Sequence, residues 1–136
     1  MIKKLPLIGV LGAIGIAFGA LGAHTLKNKI ATGLITPDQV NGFDTGVKYH
    51  MYHVLAMLAI VVLSQTYMHK YLKWAFNLFL WGIILFSGSL YILCTRNLFG
   101  AEGLRLLGPI TPIGGILFVS GWLCLAFSVI KKTNEK

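Results

Sequence analysis

The stretch Lys48-Tyr49-His50-Met51-Tyr52-His53-Val54 places two histidines and two tyrosines at the head of a long apolar run. Imidazole and phenol groups can do three things in such a setting. They can bind a metal ion, serve a small ligand, a lipid or a proton near neutral pH, or tie helices together by hydrogen bonds. His50 and His53 are three residues apart, so on a helix they share a face, with Cβ atoms roughly 5–6 Å apart. Tyr49 and Tyr52 stand in the same relation, and Tyr49 and His53 are four apart. Two histidines at this spacing are half a metal site, which His24 or Asp44 would have to complete. A bis-histidine haem is disfavoured, because its axial ligands approach from opposite faces. His53 is the deeper histidine, followed by Val54 and Leu55. It should therefore be partnered, since a bare polar group in hydrocarbon costs about 2 kcal/mol or more. The leading expectation is structural glue, with a ligand, lipid or proton site second and a metal site third.

The elements that must position these residues are membrane-spanning helices. Hydrophobic residues make up 56% of the 136-residue chain and charged residues 12%, against about 25% charged in a soluble domain. Mean hydropathy is +0.75. Charge-free runs cover residues 5–25, 49–68, 74–95 and 106–130, each longer than the roughly 18 residues that suggest a span. They lack strand alternation, and four strands could not close a barrel. The expectation is an all-α integral membrane protein, one domain over residues 1–136, with four transmembrane helices. The start of the chain resembles a secretory signal, but its apolar run is long for a signal core, so a retained helix is expected.

The formal net charge of +8 would suggest nucleic acid in a soluble protein. Here the cations stand at helix ends, where they act as membrane-side anchors, and no nucleic-acid partner is expected; membrane lipids are. The termini and the middle loop hold Lys3, Lys4, Lys70, Lys73, Lys131, Lys132 and Lys136, and the other two loops hold Lys27, Lys29, Lys48, Arg96 and Arg105. The bias puts both termini on the cytoplasmic side. Cys94 and Cys124 fall near the ends of antiparallel helices 3 and 4, near opposite membrane faces and too far apart to bridge.

Small residues mark the packing surfaces. Gly9, Gly12, Gly15, Gly19 and Gly22 recur every three or four residues in helix 1, a stripe suited to close approach of another helix. That helix belongs either to the same chain or to a second copy, and a homo-oligomer is expected. Thr36-Pro37-Asp38-Gln39 is a helix start, with Thr36 as N-cap and Gln39 at the capping-box position. Residues 37–48 are expected to form an amphipathic interfacial segment running into helix 2, with Gly42 and Gly46 as bend points. Tyr67, Tyr71 and Trp74 read as an aromatic belt, beside an exposed His69. Phe86-Ser87-Gly88-Ser89 reads as a packing site around Gly88, its hydroxyls bonded back to the preceding turn. Thr111-Pro112 repeats the cap signal ahead of Gly114 and Gly115, two further packing glycines. Residues 104–110 are expected in the interface.

Alternation of four helices puts the end of helix 1, the start of helix 2, the end of helix 3 and the start of helix 4 on one membrane side. His24, Asp44, Tyr49, His50, Tyr52, His53, Thr95, Arg96, Asn97, Glu102, Arg105 and Thr111 gather there. His24, Tyr49, His50, Tyr52, His53 and Arg96 are the candidate ligand-binding residues. No nucleophile with a paired base, nucleotide loop or HExxH is present. No catalytic residue or cofactor is assigned, and an enzyme using the His/Tyr cluster ranks below both a scaffold or binding module and a solute or proton transporter.

Four segments together carry a family resemblance: residues 19–24 (GALGAH), 43–53 (FDTGVKYHMYH), 86–91 (FSGSLY) and 110–115 (ITPIGG). In this order they resemble the small bacterial membrane proteins of the YgdD/YwdK type, a domain of unknown function (DUF423). The resemblance covers nearly the whole chain. It implies four transmembrane helices in the bacterial inner membrane and no assigned activity. It also implies glutamine as a frequent alternative at position 50, which leaves His24 and His53 as the stronger candidates.

Overall fold

A computed structural model describes residues 1–66 and 70–134, with side chains except at Glu102, Arg105, Leu106 and residues 129–134. Four long helices account for most of it: α1 (Ile2–Ile30), α2 (Pro37–Thr66), α3 (Lys70–Phe99) and α4 (Ile110–Asn134). Each is long and apolar enough to cross a membrane, and no strand occurs among the described residues. At 1.5 Å per residue α2 is about 45 Å long, against a hydrocarbon core of about 30 Å. Its polar first turns are the part that suits the interface.

The start of α2 is built as the local sequence dictates. Gln39 N–H donates to Thr36 Oγ1 at 3.2 Å, and Thr36 N–H donates to Gln39 Oε1 at 3.0 Å, the reciprocal pair of a capping box. From there α2 runs as one continuous helix to Thr66, with Gly42 and Gly46 inside it. They are clearances: a Cβ at Gly42 would lie 2.8 Å from Cys94 Sγ, and one at Gly46 3.1 Å from the Tyr91 ring.

α2 and α3 form the centre, with α1 packed on α2 and α4 on α3. The main core joins Met57, Ile60 and Val61 of α2 to Phe76, Phe79 and Ile83 of α3 and Phe118 of α4. A second cluster holds Leu26, Ile35, Val40, Phe43 and Cys94, with Phe18 and Tyr91 against it. Lipid tails are as apolar as these side chains, so association rests on close packing. Aromatic rings seated on glycines supply it between α3 and α4. Phe118 sits on Gly82, Phe79 on Gly121, where a Cβ would meet the ring at 2.5 Å, and Gly114 abuts the Phe86 backbone. On α1, a Cβ at Gly15 would lie 2.5 Å from Met51 Sδ, and one at Gly22 3.0 Å from Phe43. Gly12 and Gly19 are looser, at 3.8 Å from Val54 and 3.4 Å from Val47. From Gly12 to Gly22 the α1 glycine face is thus covered by α2 of the same chain, while a Cβ at Gly9 would meet nothing within 4 Å. Gly115 has only ordinary contact with Phe86 at 3.9 Å, and Gly88 meets nothing nearer than its own helix's Ile83 oxygen at 4.0 Å.

Three details differ from the sequence reading. α4 begins at Ile110, so Thr111 lies inside its first turn rather than capping it. The Thr111 hydroxyl instead meets Ser89 Oγ at 2.7 Å. Ser89 also bonds back to Phe86 O at 2.9 Å, whereas the buried Ser87 hydroxyl has no partner. π-helical turns interrupt α1 at Gly22–Leu26 and α3 at Ile83–Ser87. Residues 102–107 form a short 3-10 helix before α4. Tyr71 and Trp74 make an edge contact at 5.8 Å. Tyr67, His69 and Lys136 lie outside the described residues, as do the side chains of Lys131 and Lys132. Cys94 and Cys124 are both free thiols.

Replacing Gly82 or Gly121 by leucine should separate α3 from α4 and cost roughly 1–3 kcal/mol as an overpacked site. In a thermal melt in detergent, each should lower Tm by several degrees. Gly88→Ala, with open space for its Cβ, should not lower it.

Candidate functional site

His53 is the most heavily engaged polar group inside the bundle. It is only 4% exposed. Its Nδ1 lies 2.7 Å from the Tyr49 carbonyl one turn earlier, and its Nε2 lies 3.2 Å from Trp122 Nε1. A carbonyl only accepts and an indole N–H only donates. Nδ1 therefore carries the proton, and Nε2 offers its lone pair to Trp122. Both nitrogens are used, and the ring is fixed as one neutral tautomer. The imidazole also stacks on Phe118 with centroids 3.5 Å apart and an interplanar angle of 7°, with Phe79 tilted against it at 5.1 Å. His53 thus joins α2 to α4 by a hydrogen bond and a stacked ring.

His50 goes elsewhere, although it shares a helix face with His53 in sequence spacing. It is 2% exposed, and its Nδ1 lies 3.1 Å from the Tyr91 hydroxyl of α3. Its Nε2 has no hydrogen bond of ordinary geometry among the described residues, and the Leu11 backbone of α1 lies beside the ring. His24 is exposed on the π turn of α1, and no hydrogen bond joins it to His50 or His53. Asp44 is exposed and paired with Lys48 at 2.8 Å. Arg96 folds back on its own helix, Nη1 donating to the Leu93 carbonyl, which satisfies a C-terminal acceptor. The structure does not bring these six candidates into one constellation. No group of three His, Cys, Asp or Glu side chains among the described residues could hold a metal ion.

What the structure does assemble is a groove of about 770 Å³ between α2 and α4, floored by Phe86 of α3. Tyr49, Tyr52 and His53 line one wall, and Pro112, Gly115, Ile116, Phe118, Val119, Ser120 and Trp122 the other. Among the described residues, no charged side chain lines it. Tyr49 packs on Phe86 at 4.9 Å and on Phe118 at 6.2 Å. The volume falls within the usual range for small-ligand sites, about 300–1,000 Å³. Sequence reasoning missed Phe118, Trp122 and Phe86. The available signal was Trp122: its indole N–H, in an otherwise apolar run, needs an acceptor.

A family model described as "Protein of unknown function (DUF423)" matches residues 18–115. A UPF0382 membrane protein of Staphylococcus saprophyticus is 38% identical over 130 residues, covering 95% of this chain and 98% of the relative. The chain belongs to the DUF423 family. Other DUF423 relatives include the UPF0382 membrane protein YwdK of Bacillus subtilis, 35% identical over 95% of this chain and 98% of its own length. The UPF0382 inner membrane protein YgdD of Escherichia coli is 33% identical over 90% of this chain and 85% of its own. No solved structure matches. Like these DUF423 relatives, the chain is an integral membrane protein, and its four apolar helices fit that assignment.

His53→Ala should cost roughly 2–4 kcal/mol, because it opens a hole against Phe118 and leaves the Trp122 N–H bare. Trp122→Phe should cost less, about 1 kcal/mol. A double-mutant cycle on thermal stability should then show coupling of roughly 0.5–1.5 kcal/mol between the two positions. Strict additivity would mean that the hydrogen bond carries nothing.

Proposed function

We propose that this protein is a non-enzymatic membrane module that takes a lipid-like apolar ligand into the groove between α2 and α4. One observation carries this reading: the groove's described lining is uncharged and aromatic, and its histidine is already saturated by Tyr49 and Trp122. A histidine with both nitrogens engaged is a poor base or metal ligand, but a good rigid wall. From Pro112 to Trp122 the groove follows ten residues of α4, about 15 Å, or half the thickness of a hydrocarbon core. That is the depth of one leaflet, and an acyl or prenyl chain would enter sideways from the bilayer.

The same reading puts the protein in the cytoplasmic membrane with both termini on the cytoplasmic face. The lysines at the termini and middle loop support the orientation, and the printed name of the Escherichia coli relative supports the membrane.

Native mass spectrometry of protein released gently from its own membrane tests the groove. Gly115 lines it and has room for a side chain, so Gly115→Phe should fill the space without separating the helices. The lipid-bound fraction should fall about tenfold while Tm stays within a few degrees. An undiminished bound fraction in the variant would contradict the groove as the binding site.

A further inference from the structure

We propose that the head of the ligand is an uncharged flat ring bearing hydrogen-bond acceptors, the chemistry of an isoprenoid quinone. This rests on the groove reading above and specifies its occupant. Three features of the groove select that head over a phospholipid's.

The first is charge. Among the described residues, no lysine, arginine, aspartate or glutamate lines the groove. The nearest cation in sequence, Lys48, is one turn before Tyr52 and is held by Asp44 at 2.8 Å. A phosphate head entering here would lose its hydration and find only Lys48, beside Tyr52 but already paired with Asp44, as countercharge, which is costly in a low-dielectric setting. A neutral head avoids that cost.

The second is wall geometry. Aromatic rings from two helices border the space, Tyr49 and Tyr52 of α2, 6.2 Å apart, and Phe86 of α3, while Phe118, stacked on His53 and buried, backs the wall. Aromatic faces reward another flat ring by offset or edge stacking, worth about 0.5–1.5 kcal/mol per pair beyond area burial. A glycerol backbone gains nothing comparable.

The third is the placement of unused donors. The deep end offers only the Ser120 hydroxyl, since the Trp122 N–H is taken by His53 and the His53 Nδ1–H by the Tyr49 carbonyl. The Tyr49 and Tyr52 hydroxyls have no hydrogen-bond partner among the described residues, and their rings are 42% and 58% exposed. Side chains on a helix lean toward its N-terminus, which for α2 is the Pro112 end of the groove. Two phenol donors thus reach toward the shallow end, where either can bond the quinone carbonyl that faces them. The prenyl tail then runs past Val119 and Trp122 toward the bilayer centre. This is a binding proposal, with no electron transfer assigned to the chain.

Tryptophan fluorescence reads it directly, because quinones quench indole. The chain has three tryptophans, and Trp74→Phe with Trp81→Phe leaves Trp122 as the sole emitter beside the groove. This variant, in phosphatidylcholine nanodiscs, is titrated with a short-chain ubiquinone. The expected result is saturable quenching above the linear quenching of simple partition. Adding Tyr49→Phe and Tyr52→Phe, which keep the rings, should weaken the apparent affinity about tenfold. Saturable quenching unchanged by the tyrosine replacements would overturn the assignment of the head. Linear quenching alone, with a phospholipid still retained in native mass spectra and expelled by Gly115→Phe, would overturn the quinone and leave the groove reading standing. Linear quenching with no retained lipid of any kind would overturn both.

Discussion

Hydrocarbon offers a polar side chain no partner, so each one inside a span must find its partners in the protein or leave an uncompensated cost. In this chain that constraint falls most heavily on His53. Its imidazole takes the Tyr49 carbonyl on one side and the Trp122 indole on the other, and lies flat on Phe118. Phe118 in turn seats on Gly82 of α3. One histidine and one phenylalanine thereby link α2, α3 and α4. The groove exists because this link holds α2 and α4 at ring distance, with Phe86 as a floor, instead of letting them close on each other.

Glycine provides the complementary half of the packing. Where water is absent, helices gain little from hiding apolar surface and must gain from fit. The Phe118–Gly82 and Phe79–Gly121 seats point in opposite directions, ring from α4 into α3 and ring from α3 into α4. That reciprocity fixes both the spacing and the axial register of the pair. α1 is attached to α2 by the same device at Gly15 and Gly22, with Met51 and Phe43 as the knobs. At the opposite end, Lys4 donates to Asn77 Oδ1 at 3.3 Å and covers the Phe76 ring at 3.9 Å. A membrane-edge cation is thus also a contact between α1 and α3.

The spans were legible because composition over some twenty residues suffices to identify them, and the Thr36–Gln39 capping box because all of its atoms lie within four residues. What depends on distant partners was not legible. Gly42 and Gly46 suggest flexibility until Cys94 and Tyr91, some fifty residues on, are seen to need the space. Thr111 looks like a cap until Ser89 is found opposite it. Helical spacing pairs His50 with His53, but the two rings turn to different helices, His50 to Tyr91 and His53 to Trp122. Spacing reports which residues share a surface, not which neighbour that surface meets. The groove is made by three helices at once, and the sequence marks only its α2 wall, Tyr49, Tyr52 and His53, and the lone indole of Trp122.

The central claim is that His53 is a structural tie with a fixed tautomer. Nitrogen-15 NMR of the protein with labelled histidine, in lipid, tests it most directly, the His53 signals being assigned by their loss in His53→Gln. The account predicts a ring protonated at Nδ1 and bare at Nε2, with Nε2 shifted by the hydrogen bond from Trp122 and returned toward its free value in Trp122→Phe. A ring protonated at Nε2, or at both nitrogens, would contradict it and return His53 to the list of groups free to do chemistry.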